Sequence, residues 1–132
     1  MLYCLSPPGT LTVAYPGSTV KTLTVKTFYY GCNLALPEGA ADTSASCTVT
    51  VTGYKAGKSA PVATQSFTFT AAQVVDLAQP LNMATLSSGF QNLQSVQFAV
   101  SSPSTTSYLM DDLTGMLFPQ RSLYLKVRTH RS

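Results

Sequence analysis

The chain has 132 residues, of which 45% are hydrophobic and only 10% charged, a balance that suits one domain with one core rather than a disordered or strongly charged chain. The formal charge of +3 does not mark a nucleic-acid or anionic-membrane binder: from Met1 to Phe118 four lysines oppose five carboxylates, and the excess sits at Arg121, Lys126, Arg128 and Arg131. No apolar run approaches the roughly 20 residues of a membrane helix, and the N-terminus lacks the charged and apolar segments of a signal peptide.

Taken in chain order, the residues alternate with period two and almost nowhere with helical spacing. Leu11, Val13 and Tyr15 alternate with Thr12 and Ala14, and Pro16-Gly17 supplies a turn, so a hairpin with the next segment is expected. Between Ser18 and Cys32 the apolar phase switches: Leu23 and Val25 share one face, whereas Val20, Phe28 and Tyr30 hold the other. A β-bulge or bend near Thr27 would bring both sets indoors. Asn33 to Ser46, with Pro37 and Gly39 among small residues, reads as a long surface loop.

Cys47, Val49 and Val51 share an inward phase, and Phe67 and Phe69 share another on the segment Val62 to Ala71, which predicts an antiparallel hairpin turned by Gly53 to Ser59. That turn looks at first like a phosphate-binding loop, but its glycines are separated by three residues instead of four and no helix follows. From Gln73 to Asn92, the residues Leu81, Met83, Leu86 and Phe90 fit a short strand and then a turn of helix. Val96, Phe98 and Val100 form a further strand, Pro103 marks a turn, and Ser107 to Phe118 is the last strand of a domain spanning residues 1–118. The basic tail, residues 119–132, is expected outside the fold because Pro119 interrupts the strand; an edge strand through Leu123, Leu125 and Val127 is the competing reading. The expected core includes Val49, Val51, Phe67, Phe69, Val96, Phe98 and Val100. Several short strands joined by turns argue for an all-β sandwich or barrel, and the alternation favours antiparallel sheets.

The chemistry of catalysis is sparse. The single histidine, His130, is the third residue from the end of the sequence, which leaves no base for a serine or cysteine nucleophile. Zinc-type Cys/His spacing does not occur. Asp111 and Asp112 are neighbours on a strand and so point to opposite faces, which disqualifies them as a glycosidase pair. Glu38 and Asp42 read as solvated loop acids. The expectation is a protein that is not an enzyme.

Two binding readings remain. Asp111 and Asp112 suit a structural Ca²⁺, a hard ion that takes oxygen donors, or else are hydrogen-bonded aspartates near a sheet edge. Tyr29, Tyr30 and Tyr54 offer rings for stacking on a sugar, or else pack in the core and at its edge. One of Tyr29 and Tyr30 must face out of any strand.

The segments Thr22 to Cys32 (TLTVKTFYYGC), Cys47 to Gly57 (CTVTVTGYKAG), Gln65 to Thr70 (QSFTFT), Phe90 to Phe98 (FQNLQSVQF) and Tyr108 to Leu113 (YLMDDL), in this order, resemble a family of uncharacterised secreted fungal proteins. These have a jelly-roll, galactose-binding-like or carbohydrate-binding-module-like fold. The resemblance covers most of residues 18–118 and implies an antiparallel two-sheet jelly-roll-type sandwich, an extracellular location and carbohydrate as partner, with no nucleic acid and no membrane. An earlier strand with its own acid and a Trp-rich segment, usual in that family, have no counterpart in this chain, so a truncated or differently started version is expected. That counts against bound calcium and leaves a sheet edge open. With three cysteines present, the secreted resemblance and the position of Cys32 and Cys47 at the two ends of the expected loop imply that these two form a disulfide. The leading expectation is a non-catalytic, carbohydrate- or cell-wall-binding sandwich; the alternative is a structural or protein-interaction domain, effector-like and without glycan affinity. The sequence sets no oligomeric state.

Overall fold

The structure, a computed structural model, describes residues 3–4, 9–34, 46–70, 81–101, 106–119 and 121–125. Among the described residues nine strands run in chain order: β1 (Tyr3–Cys4), β2 (Gly9–Thr12), β3 (Thr22–Leu34), β4 (Cys47–Tyr54), β5 (Ala63–Phe69), β6 (Asn82–Thr85), β7 (Ser95–Ser101), β8 (Thr106–Phe118) and β9 (Arg121–Leu125), with a 3-10 turn at Ser88–Phe90 before β7. They form two sheets, ordered β1-β2-β7-β4-β5 and β6-β3-β8-β9, and every pairing within them is antiparallel. The protein is therefore an all-β, antiparallel two-sheet sandwich. The strand at residues 82–85 followed by the 3-10 turn matches the short strand and helical turn expected there.

Alternation explains which sheet face is dry. On β4, Cys47, Val49, Val51 and Gly53 are buried while Thr48, Thr50, Thr52 and Tyr54 are half-buried on the other side. Val49, Val51, Phe69, Val96 and Phe98 are all core residues, and Phe67 and Val100 pack against them partly buried. The two sheets meet in an aromatic cluster: the Phe28 ring lies edge-on to Phe67 at 5.7 Å and to Phe98 at 5.4 Å, and Tyr30 adjoins Phe69 at 6.1 Å. Beside it the Cys32–Cys47 disulfide joins β3 of one sheet to β4 of the other, with Cα atoms 6.2 Å apart. The expected bridge is thus present, and it links the two layers.

The phase switch in β3 is a pair of bulges. Val25 faces Gly115 and Thr27 faces Thr114, so Lys26 is an extra residue on β3; Tyr29 then faces Asp111, so β8 in turn carries one extra residue opposite Phe28. The two shifts cancel, and Tyr29 to Leu34 pair in the register that Thr22 to Val25 began. The first bulge reverses side-chain direction, which is why Leu23, Val25, Phe28 and Tyr30 are all buried. The carbonyl of Lys26 accepts the Leu86 N–H at 2.9 Å, so the kinked backbone is not left unpaired.

Two expectations change. Pro16-Gly17 does make a turn, with Gly17 at φ +80° and the Ser18 N–H donating to Tyr15 O, the type II geometry that needs a glycine. It does not close a hairpin: β2 pairs with β7 and β3 lies in the other sheet, because a turn sets chain direction but not the partner. The tail also is not wholly outside the fold. Arg121–Leu125 pairs with Leu113–Leu117 of β8, across a connection that contains a cis Phe118–Pro119 peptide, and Leu123 is buried in the core. Burial of Leu123 and a free edge on β8 tie down a segment that end-fraying alone would leave loose. The long loop expected between β3 and β4 (residues 35–45 of it), the turn at Pro103 and residues 126–132 with His130 lie outside the described residues.

Candidate functional site

The outer faces of the two sheets differ in chemistry. On the five-stranded sheet, β4 and β5 set hydroxyl against hydroxyl: Thr48 opposes Thr68, Thr50 opposes Ser66 and Thr52 opposes Thr64. Thr50 Oγ1 and Ser66 Oγ are 3.1 Å apart. β7 continues the face with Ser95, Gln97 and Ala99, and the Tyr54 hydroxyl donates to Gln97 Oε1 at 3.5 Å.

The four-stranded sheet carries the apolar surface. Six large hydrophobic residues are exposed among the described residues, and five of them share this face: Tyr29 (37%) on β3, Met83 (58%) on β6, Met116 (39%) and Phe118 (54%) on β8, and Tyr124 (59%) on β9. Register places them together. Tyr29 faces Met83, Thr24 faces Met116, Thr22 faces Phe118, and Thr114 faces both Thr27 and Tyr124. The face extends about 20 Å along β3, from Tyr29 to Thr22, at about 3.3 Å per residue. Hydroxyls lie between the apolar groups, with Thr27 Oγ1 and Thr114 Oγ1 in contact at 2.6 Å. The face thus presents exposed rings and thioethers with hydroxyl groups between them.

The aromatic residues singled out from the sequence are not one platform. Tyr29 is exposed on the face of the four-stranded sheet, Tyr30 is buried at 4% exposure in the aromatic cluster, and Tyr54 stands on the outer face of the opposite sheet. Strand alternation separates Tyr29 from Tyr30, and the layered architecture separates Tyr54 from both. Only Tyr29 remains at the candidate site.

Asp112 does reach this sheet's surface, by way of the β8 bulge. Its backbone sits at φ +48°, the left-handed region that asparagine and aspartate tolerate better than other side chains, and the Tyr124 hydroxyl donates to Asp112 Oδ1 at 2.5 Å. The side chain of Asp111 lies outside the described residues. A calcium ion takes six to eight oxygen ligands, whereas among the described residues no three carboxylate, histidine or cysteine side chains gather in one place.

Residues that sequence reasoning passed over include Met116, Phe118, Met83 and Tyr124. The signal was present in Leu113 to Phe118, where apolar residues occupy both phases, Leu113 and Leu117 one and Met116 and Phe118 the other. A strand with apolar residues on both phases leaves one set exposed unless both of its faces are covered.

The fold and surface together define a disulfide-linked β-sandwich domain with one hydroxyl-lined face and one apolar, aromatic face. The chain belongs to the family described as a domain of unknown function (DUF7371), whose model matches residues 11–118. No curated protein and no solved structure matches the chain.

Proposed function

We propose that this domain is a non-catalytic, extracellular sandwich that binds carbohydrate or cell-wall polymer through the outer face of the four-stranded sheet. The observation that carries the reading is the concentration of Tyr29, Met83, Met116, Phe118 and Tyr124 on that face, interleaved with threonine hydroxyls. Sugars present an apolar C–H side and a rim of hydroxyls, which such a surface matches: rings and thioethers take the first, and threonine and amide groups take the second. The inter-sheet disulfide suits an oxidising compartment.

Screening the full chain on an array of neutral and anionic cell-wall glycans tests the proposal. Glycan binding that falls at least tenfold in Tyr29→Ala or Tyr124→Ala, with thermal stability retained, is the expected result. Absence of glycan binding, together with capture of a protein partner through the same face, would replace this reading with the interaction-domain alternative, which an exposed apolar sheet face also suits.

A further inference from the structure

At one end of the apolar face a groove opens, lined by Thr22 and Thr24 of β3, by Met116, Leu117 and Phe118 of β8, and by Asn92. Its wall is built by an isolated bridge: Leu23 and Leu93 exchange both backbone hydrogen bonds at 2.8 Å, which holds Asn92 beside β3 beyond the end of β6. The floor is the Thr22–Phe118 and Thr24–Met116 pairs, whose alternate residues point outward.

Three features of this groove point the same way. No lining residue is charged, which selects against ionic ligands. Its polar groups are incompletely used: Thr24 Oγ1 accepts the Asn92 N–H at 3.0 Å and keeps its own proton to donate, and the Asn92 side-chain amide has no protein partner among the described residues. Finally, Asn92 is held in the left-handed backbone region, at φ 54°. Backbone outliers of this type gather where a surface is arranged for a ligand.

The geometry points to a subsite for one uncharged sugar ring, which we propose rests its apolar side on Phe118 and Met116 and bonds its hydroxyls to Thr22, Thr24 and Asn92. The inference rests on the carbohydrate reading above and adds its anchor point and charge class. Thr22 and Thr24 stand about 6.5 to 7 Å apart along the strand, a span that two hydroxyls of one pyranose ring can meet. From this end the face continues past Met116 toward Tyr124 and Tyr29, so a longer chain of sugars would run across the sheet from the groove.

The test is an NMR titration of the isotope-labelled full chain with methyl glycosides of glucose, galactose, mannose and, as the charged comparison, glucuronic acid. Shifts from a neutral glycoside at Thr22, Thr24, Asn92 and Phe118 are expected, weakened at least tenfold in Phe118→Ala and in Asn92→Gly, the latter keeping the left-handed backbone. Neutral glycosides that shift only residues around Tyr29, or binding unaltered in both variants, would overturn the subsite while leaving the carbohydrate reading in place, whereas shifts only around Tyr54, on the opposite sheet, would overturn both. Preference for the glucuronide would overturn the uncharged class. No response to any glycoside, combined with no binding on the glycan array, would remove both readings together.

Discussion

The two sheets of this sandwich solve the same problem differently. In the five-stranded sheet, β4 pairs without interruption with β5 and β7, and its outer face is a lattice of threonine and serine hydroxyls. In the four-stranded sheet the central pair β3–β8 carries two compensating bulges, two of its edges are short strands, and its outer face is apolar. The difference lies in how each sheet meets solvent. A hydroxyl ladder keeps an outer face polar at almost no charge, and each cross-strand pair adds about 0.2 to 1 kcal/mol to the sheet. The irregular sheet re-aims side chains and leaves rings in water, at a cost in solubility.

The sharpest contrast lies in how closely each sheet's backbones approach. A Cβ placed on Gly115 of β8 would stand 1.9 Å from the Thr24 carbonyl oxygen, whereas one on Gly53 of β4 would meet the Leu93 side chain first, at 2.8 Å. Gly115→Ala should therefore break the β3–β8 pairing and cost more than about 4 kcal/mol. Gly53→Ala, where a side chain can move aside, should cost about 1 to 3 kcal/mol. Urea unfolding of the two variants decides this, and equal losses would show that the irregular pairing is no tighter than the regular one.

Ending the chain at Phe118 removes β9 and with it Leu123, which is 4% exposed. The expected loss is at least the roughly 2 to 5 kcal/mol of deleting one buried leucine side chain, read as a fall in denaturation midpoint. An unchanged midpoint would return the segment to the status of a tail. Cys32→Ala with Cys47→Ala should cost about 3 kcal/mol, since the bridge closes a separation of 15 residues; a loss confined to one sheet in hydrogen exchange would show that the layers hold together without it.

The smallest effects belong to the outer faces themselves. Thr50→Ala gives up the hydroxyl contact with Ser66 and should cost about 0.5 kcal/mol or less. Met83→Ser, at a side chain 58% exposed, should change stability by no more than about 0.5 kcal/mol while increasing solubility. A clear stability loss in Met83→Ser would mean that the apolar face is structural after all.

Much of the fold can be read from the residues, and the reasons for the rest are particular. Alternation located Val49, Val51, Phe69, Val96 and Phe98 in the core because their polar neighbours are unambiguous. The bulge at Lys26 was visible because strong apolar residues lie on both sides of it and change phase. Its counterpart on β8 was not, because Asp111 and Asp112 carry no apolar phase to read. The turn at Pro16-Gly17 was visible, whereas the sheet joined afterwards depends on contacts with β7 and β8 far along the chain. In β9 the alternation of Leu123 and Leu125 was evident, but only its pairing with β8 decides whether an alternating chain end folds. The candidate site was the least legible part. Tyr29 could be anticipated as outward or inward by parity alone, while Met116 and Phe118 look like core until a structure shows which phase is inside.

The bridge between the layers also bears on how the molecule would come apart. Residues 33–46 are enclosed between two covalently joined cysteines, so a single protease cut anywhere within them leaves both products in one covalent molecule. The clip would pass unseen on a non-reducing gel and appear as two fragments once thiol is added. A protein built this way loses the continuity of that segment on such a cut and still keeps its two sheets in one covalent molecule.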